Sequence, residues 1–349
     1  MTDASEPVSA GQVSEYLDAL AKPQGSMGRL EGLAVQLALV QQSLNVRTKP
    51  RRIVLFAGDH GVVESGVSAW PSSVTTVMME TIIARKATST ALAAAHSADL
   101  LLVDTGSIYP PGSGKQSPAF PAPALQSARI AAGTADLANG PAMTKDQFHA
   151  AWGIGEAQAR QAHEAGYVIL IAGEMGIGNT TSAACLTMLL AGVDAQIATG
   201  RGAGADDAIL KIKRDIATQA TQRASALLTD EGDAVAAIAE IAGFEIAAMA
   251  GFYAQSARQG STLLLDGYVA TASALIAERL MPGTTKQMIA AHLSAEPGHR
   301  AALDHLGLEP LLEWNMRLGE GTGALTALPM LDSAAALLND VAKLTDIMP

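Results

Sequence analysis

Cysteine is nearly absent. Cys185 is the one thiol in 349 residues. That excludes an intrachain disulfide framework and any zinc or iron–sulfur site built from several cysteines. Such a chain suits a reducing compartment, and a cytoplasmic location is the expectation. Aromatic residues make up only 4%, so the core has to be assembled from Ala, Leu, Ile, Val and Met. Charge is sparse as well: 16% charged against 49% hydrophobic residues is the reverse of a disordered composition. Basic residues are the minority, 23 Lys+Arg against 34 Asp+Glu, for a net charge of -11. A surface of that sign repels nucleic acid. No apolar run reaches the roughly 18 residues of a spanning helix. The most apolar stretch, AVAAIAEIAGFEIAAMAGFYA, is interrupted by Glu240 and Glu245 and reads as a buried helical hairpin. The opening MTDASEPVSAGQVSEYL has no basic segment of the signal-peptide kind.

What is present is a strand–helix alternation. Four short apolar runs end in Gly or an acid: Ile53–Asp59, Asp99–Gly106, Tyr167–Glu174 and Thr262–Gly267. Each is close to continuous in branched residues and leucine, the pattern of strands covered on both faces. Helical spacing fills the intervals at Thr75–His96, Thr180–Leu190 and Asp206–Leu228, and Thr144–Gln147 has the form of a capping box. The alternation predicts an α/β fold with a mostly parallel sheet and a ligand at the carboxyl ends of the strands. Ser107–Gln126, rich in Pro, Ser and Gly, is expected to be a loop. Both chain ends read as helical, over Val13–Ala21, Ser26–Leu44, Leu311–Met316 and Leu331–Leu344. They could pack together as a small second domain. No internal repeat is visible.

Several glycine-rich segments carry chemistry. Gly173–Thr181, GEMGIGNTT, lies between a strand and a helix, where converging amides and a helix N-terminus favour a phosphate. Its order is not that of a dinucleotide or P-loop motif. The plainer reading is a tight turn with Asn179 or Thr180 as N-cap. Gly200–Asp207, GRGAGADD, precedes a helix carrying Lys211 and Lys213; it reads equally as a second phosphate loop or as a flexible turn with acids at a helix start. In Arg317–Gly323, RLGEGTG, Glu320 stands between glycines. A desolvated carboxylate there would serve as a general base near neutral pH, and a solvated turn glutamate is the commoner case. Asp59 and His60 are adjacent, and His292 and His299 are loosely spaced, so neither pair argues a metal site; a structural or substrate-lining role is expected for the first. Gly112–Ser117, GSGKQS, imitates a Walker loop but lies in the Pro-rich segment. Arg47, Lys49, Arg51 and Arg52 read as a solvated linker.

Taken in order, these segments resemble one family, the nicotinate-nucleotide–dimethylbenzimidazole phosphoribosyltransferases of cobalamin nucleotide assembly. The resemblance runs through Lys22–Glu31, Ala57–Pro71, Gly133–Thr144, Gly173–Ala184, Gly200–Asp207, Leu264–Leu275, Ser294–Leu312 and Met316–Ala324. It implies an enzyme without a metal or redox cofactor that displaces nicotinate from nicotinate mononucleotide with a benzimidazole nitrogen, inverting C1′. It also implies a Rossmann-like large domain over 36–295, a small helical domain from 1–35 with 296–349, and a homodimer. The family's catalytic positions fall on Glu320, Glu174 and Lys213. Nucleotide and phosphate contacts fall on Gly176, Ile177, Gly178, Asn179, Thr180, Gly202, Asp266, Gly267 and Ser294. The acceptor base is expected among Trp70, Pro71, Val77, Met78 and Leu318.

The sequence departs from the family in the acceptor region. Val77 stands where relatives carry glutamine, and TIIARKATST lacks the usual glycine pair. Losing an amide there removes a hydrogen bond to the ring, so another acceptor (adenine, a different benzimidazole or a phenol) is the alternative within catalysis. A non-catalytic nucleotide-binding regulator is the alternative outside it. Thr322 and Ala203 replace the more usual serine and threonine of their motifs, small changes that leave the chemistry intact.

Overall fold

The computed structural model describes residues 7–111, 124–228 and 232–348. Its centre is a parallel sheet of six strands among those residues: β1 (Arg51–Gly58), β2 (Ala98–Gly106), β3 (Ala124–Ser127), β4 (Ile169–Met175), β5 (Thr262–Leu265) and β6 (Met288–Ala290), in the order β3-β2-β1-β4-β5-β6. Strand order reverses between β1 and β4, the point where open α/β sheets leave a crevice beyond their carboxyl ends.

The strands alternate between two apolar layers. Val54, Phe56, Leu170 and Ala172 face a core made with the helices Lys145–Glu164, Asn179–Ala191, Asp207–Ser225, Phe244–Arg258 and Tyr268–Leu280. Ile53, Leu55, Ile169 and Ile171 face the other, made with Ala10–Asp18, Arg29–Gln41, Ser73–Ile83, Thr88–Ala95 and Thr322–Asn339. Helices cover both faces, which is why the strands read as continuous apolar runs rather than alternating ones. The helices from the two chain ends meet as expected: Leu33 and Leu37 share a core with Leu328 and Leu331, and that core also takes in the sheet. Alanine dominates these helices because they approach closely. The four strands of the sequence reading are all present, and the Thr144–Gln147 capping box forms.

Several local expectations need correction. Thr75–His96 is two helices, because Arg85 turns left-handed (φ 57°) and the Lys86 amide reaches back to the Thr81 carbonyl, closing the first helix as a Schellman motif does. Leu311–Met316 is not helical. Leu311 and Leu312 donate their amides to Ala290 and Ala291, extending the chain beside β6 after Pro310. The last long helix runs over Thr322–Asn339 rather than Leu331–Leu344, with Pro329 inside it. Ala124–Gln126, assigned to a loop, is in β3, while Gly112–Ser117 lies outside the described residues. The basic run is no linker either. Arg51 is buried in β1 and makes a two-pronged pair with Asp332 (3.1 and 3.0 Å), and Arg52 pairs with Asp99.

Candidate active site

The crevice at the strand ends holds a cavity of about 130 Å³. Glu174, Gly176, Ile177, Asn179, Thr180, Gly202, Asp266, Gly267, Ser294, Leu318 and Glu320 line it, so two turns far apart in sequence face one space. Gly178 and Lys213 line an adjoining depression with Trp70 and Arg201, on the other side of the Gly176–Thr180 loop. Pro71, Val77 and Met78 line neither of these; Val77 is 56% exposed, and Met78 packs partly into the second core.

Glu320 sits in an unusual turn. Gly319, Glu320 and Gly321 are left-handed in succession, with φ of 90°, 55° and 70°. Glycine bears this freely; Glu320 does so at a cost of about 1–2 kcal/mol. A methyl on Gly319 would overlap Glu174 Oε1, and one on Gly321 would overlap Ile53. The turn is closed by Thr322, whose amide (3.0 Å) and Oγ1 (2.7 Å) both donate to the Gly319 carbonyl. The Glu320 carboxylate is 4% exposed and accepts from Ser89 Oγ at 2.7 Å. Burial pushes its pKa up, the Ser89 donors pull it down, and the charge of Asp266 adds to the upward push.

Glu174, at the end of β4, is partly open to the cavity and accepts from the Asn179 side chain. Burial, then the charges of Asp266 and Glu245, push its pKa to about 8, against the Asn179 hydrogen bond. Lys213 is buried and donates to Thr180 Oγ1 at 3.0 Å. Burial lowers its pKa, with Glu296 opposing. The Gly200–Asp207 loop is fastened from both sides, by the Gly202 amide on Glu296 Oε1 (3.0 Å) and by Arg317 on the Gly202 carbonyl (3.1 Å). Trp70 Nε1 donates to the Ala203 carbonyl at 3.0 Å, tying that loop to the one after β1.

Other expected residues serve the frame. Asp59 accepts from Thr75 Oγ1 (2.6 Å) and the Ile108 amide (2.7 Å), while His60 pairs with buried Glu245 at 2.6 Å; neither lines the cavity. The Ser294 amide donates to His299 Nδ1 at 2.8 Å, and His299 Nε2 then donates to Thr271 Oγ1 at 2.9 Å. Burial drives that imidazole's pKa down to about 3, so it is neutral. The sequence reading gave no role to Glu296, His292, Arg317 or Ser89. Glu296 was within a quoted motif, but nothing in its spacing shows that it reaches Gly202. Ser89, in a helix far from Glu320, left no signal.

The sequence model of a phosphoribosyltransferase family matches residues 3–347. The chain is 40% identical over 342 residues to the nicotinate-nucleotide–dimethylbenzimidazole phosphoribosyltransferase of Cupriavidus necator, which covers 98% of this chain and 94% of that one. It is also 40% identical to the protein of that name from Pseudomonas putida, over 99% and 96% of the two chains. The crystal structure of the Thermus thermophilus phosphoribosyltransferase of the same name is similar with a TM-score of 0.87 at 38% identity, over 96% of both chains. A structure of CobT from the same organism gives 0.89, over 96% and 97%. At this identity and coverage the chain belongs to the nicotinate-nucleotide–dimethylbenzimidazole phosphoribosyltransferase family.

Proposed function

We propose that this chain transfers the phosphoribosyl group of nicotinate mononucleotide to 5,6-dimethylbenzimidazole with inversion at C1′, giving α-ribazole 5′-phosphate and nicotinate for cobalamin assembly. The observation that carries this reading is the shared cavity, into which Glu174 and Glu320 both open beside the Gly176–Thr180 loop. The bond from C1′ to the pyridinium nitrogen breaks, and its electron pair neutralises the ring, so departure needs no acid. A benzimidazole nitrogen forms the new bond at C1′ while the proton on its other nitrogen passes to the Glu320 carboxylate. The amides of Gly176–Asn179, with Lys213, hold the 5′-phosphate. Positioning the two substrates in line supplies much of the acceleration.

The same reading takes the protein to be a cytoplasmic homodimer. Among the described residues no helix is long and apolar enough to cross a membrane. It divides the chain into 36–295 and a small helical unit, 1–35 with 296–349, supported by the packing of Leu33 and Leu37 on Leu328 and Leu331. Incubation with nicotinate mononucleotide and a panel of acceptors (5,6-dimethylbenzimidazole, other benzimidazoles, adenine, phenol) tests it. Nicotinate release with an α-configured product, fastest for 5,6-dimethylbenzimidazole, is expected. Tight nucleotide binding with no release from any acceptor would overturn it.

A further inference from the structure

Asp266 falls among the expected nucleotide contacts, yet its oxygens are occupied within the protein. Oδ2 accepts the Gly321 amide at 3.0 Å, and Oδ1 accepts those of Gly323 (2.7 Å) and Ala324 (3.1 Å). The residue is 2% exposed. These three amides belong to the first turn of Thr322–Asn339 and to the glycine directly after Glu320. His292 packs against Gly323 with its Nε2 3.7 Å from Asp266 Oδ1, closing the remaining side. β5 thus fixes the far end of the left-handed run, Thr322 fixes its near end, and Ser89 fixes the carboxylate. We propose that Asp266 is a positioning residue, which holds the Glu320 turn so that its carboxylate faces the reacting centre, and that it is not a substrate contact. This rests on the reading of Glu320 as the base.

The geometry makes a specific demand. A carboxylate has only acceptors to offer, and three amide donors face it, with the His292 imidazole beyond hydrogen-bond distance. Asparagine could keep Oδ1 on Gly323 and Ala324. Its amide nitrogen would then face the Gly321 N–H, donor to donor, and the turn would have to move. A displacement of about 1 Å in a positioned group costs on the order of 100-fold in rate.

The experiment is Asp266→Asn beside Glu320→Gln, each assayed for nicotinate release with both substrates varied, and for kcat against pH. The expected result for Asp266→Asn is a kcat lower by about 100-fold with each KM within about threefold of wild type. Its acid limb should also move to lower pH, because a negative charge beside Glu320 is gone. The other ionisable groups lining that cavity are Glu174, Tyr268, His292, Glu296 and Arg317; Glu174 also loses the Asp266 charge that raises it, so the limb is read against that of Glu174→Gln. A residue serving only the fold would lower the melting temperature and leave kcat of the folded variant near wild type. A raised KM for nicotinate mononucleotide with kcat retained would make Asp266 a substrate contact and overturn the assignment. So would wild-type kcat in the folded variant. If Asp266→Asn fails to fold, Asp266→Ser, which removes the charge without a donor facing Gly321, takes its place. Failure of both to fold makes Asp266 a scaffold residue and also overturns it. If Glu320→Gln itself turns over normally, the base assignment has failed instead, and the two failures are told apart.

Discussion

Replacing Glu320 by Gln and by Gly separates the chemistry of the site from the strain of its turn. Gln keeps the volume and can still accept from Ser89, but it cannot take a proton. Loss of a general base lowers kcat by about 100- to 10,000-fold, or about 3–5 kcal/mol of barrier. Gly removes the Ser89 bond at 2.7 Å, about 1.5–3 kcal/mol for an ionised acceptor, and adds about 0.5–1 kcal/mol of backbone entropy. Against this it relieves the left-handed φ of 55°, about 1–2 kcal/mol. The net is a loss of about 0–3 kcal/mol, a few degrees in a chain of this length. Both variants should therefore be folded and nearly inactive. The sign with pH follows from the raised pKa of Glu320. A carboxyl raised above 4.5 gives its stability below that value and loses it as pH climbs through the raised one. Glu320→Gln should thus gain on wild type in melting temperature between pH 5 and pH 8.5. Thermal melts at those two values and nicotinate release by chromatography are the assays. Turnover of Glu320→Gln within about tenfold of wild type refutes the base assignment. A melting difference that shrinks with rising pH refutes the account of its burial.

Glu174 offers a second test of the same linkage. With its pKa at about 8, its stability contribution is complete below pH 4.5 and disappears as pH rises to 8, so Glu174→Gln should flatten the decline of wild-type stability across that window. The slope removed is at most about 1.4 kcal/mol per pH unit, and parallel curves for the two proteins would contradict the assignment. Gly155→Ala probes the packing: the helices Lys145–Glu164 and Phe244–Arg258 touch there, and a methyl would overlap the Ala248 carbonyl and the Phe252 amide. Both neighbours are backbone, so the roughly 1 kcal/mol that Ala gains in helix propensity loses to about 1–3 kcal/mol of overpacking. A melting temperature unchanged or raised would show that the helices separate freely.

The features legible in the sequence were those that repeat or stand alone. β1, β2, β4 and β5 announced themselves because helices bury both of their faces. β3, no shorter than β5, lies at the sheet edge with Leu125 exposed and shows no buried run, and β6 spans only three residues. Thr75–His96 kept helical spacing across Arg85, and nothing in the apolar pattern reports a left-handed residue. The turns bearing Glu174 and Glu320 were visible as glycines around an acid. Their supports were not: Ser89, Asp266, Glu296 and Arg317 act through contacts between segments, and a single chain carries no mark of which segments meet. Asp266 entered as a nucleotide contact through the resemblance, and its three amide partners could not be read from the chain.

The electrostatics bear on which of the two cavity acids takes the proton. Glu174, Glu245, Asp266 and Glu320 lie close enough that Asp266, Glu245 and Glu320 all raise Glu174. Each has its own donors: Asn179 for Glu174, His60 for Glu245, three amides for Asp266 and Ser89 for Glu320. Those for Asp266 are the most numerous. Glu174 stands where desolvation and the charge of Asp266 both raise its pKa. Glu320 feels the same burial, but two donors from Ser89 oppose it. Pairs of acids pushed apart in this way divide their roles, one a proton holder and one an acceptor. A base must begin unprotonated, and under the proposed mechanism the acceptor's part falls to Glu320. An acid limb of kcat that follows Glu174→Gln while ignoring Asp266→Asn would reverse that division.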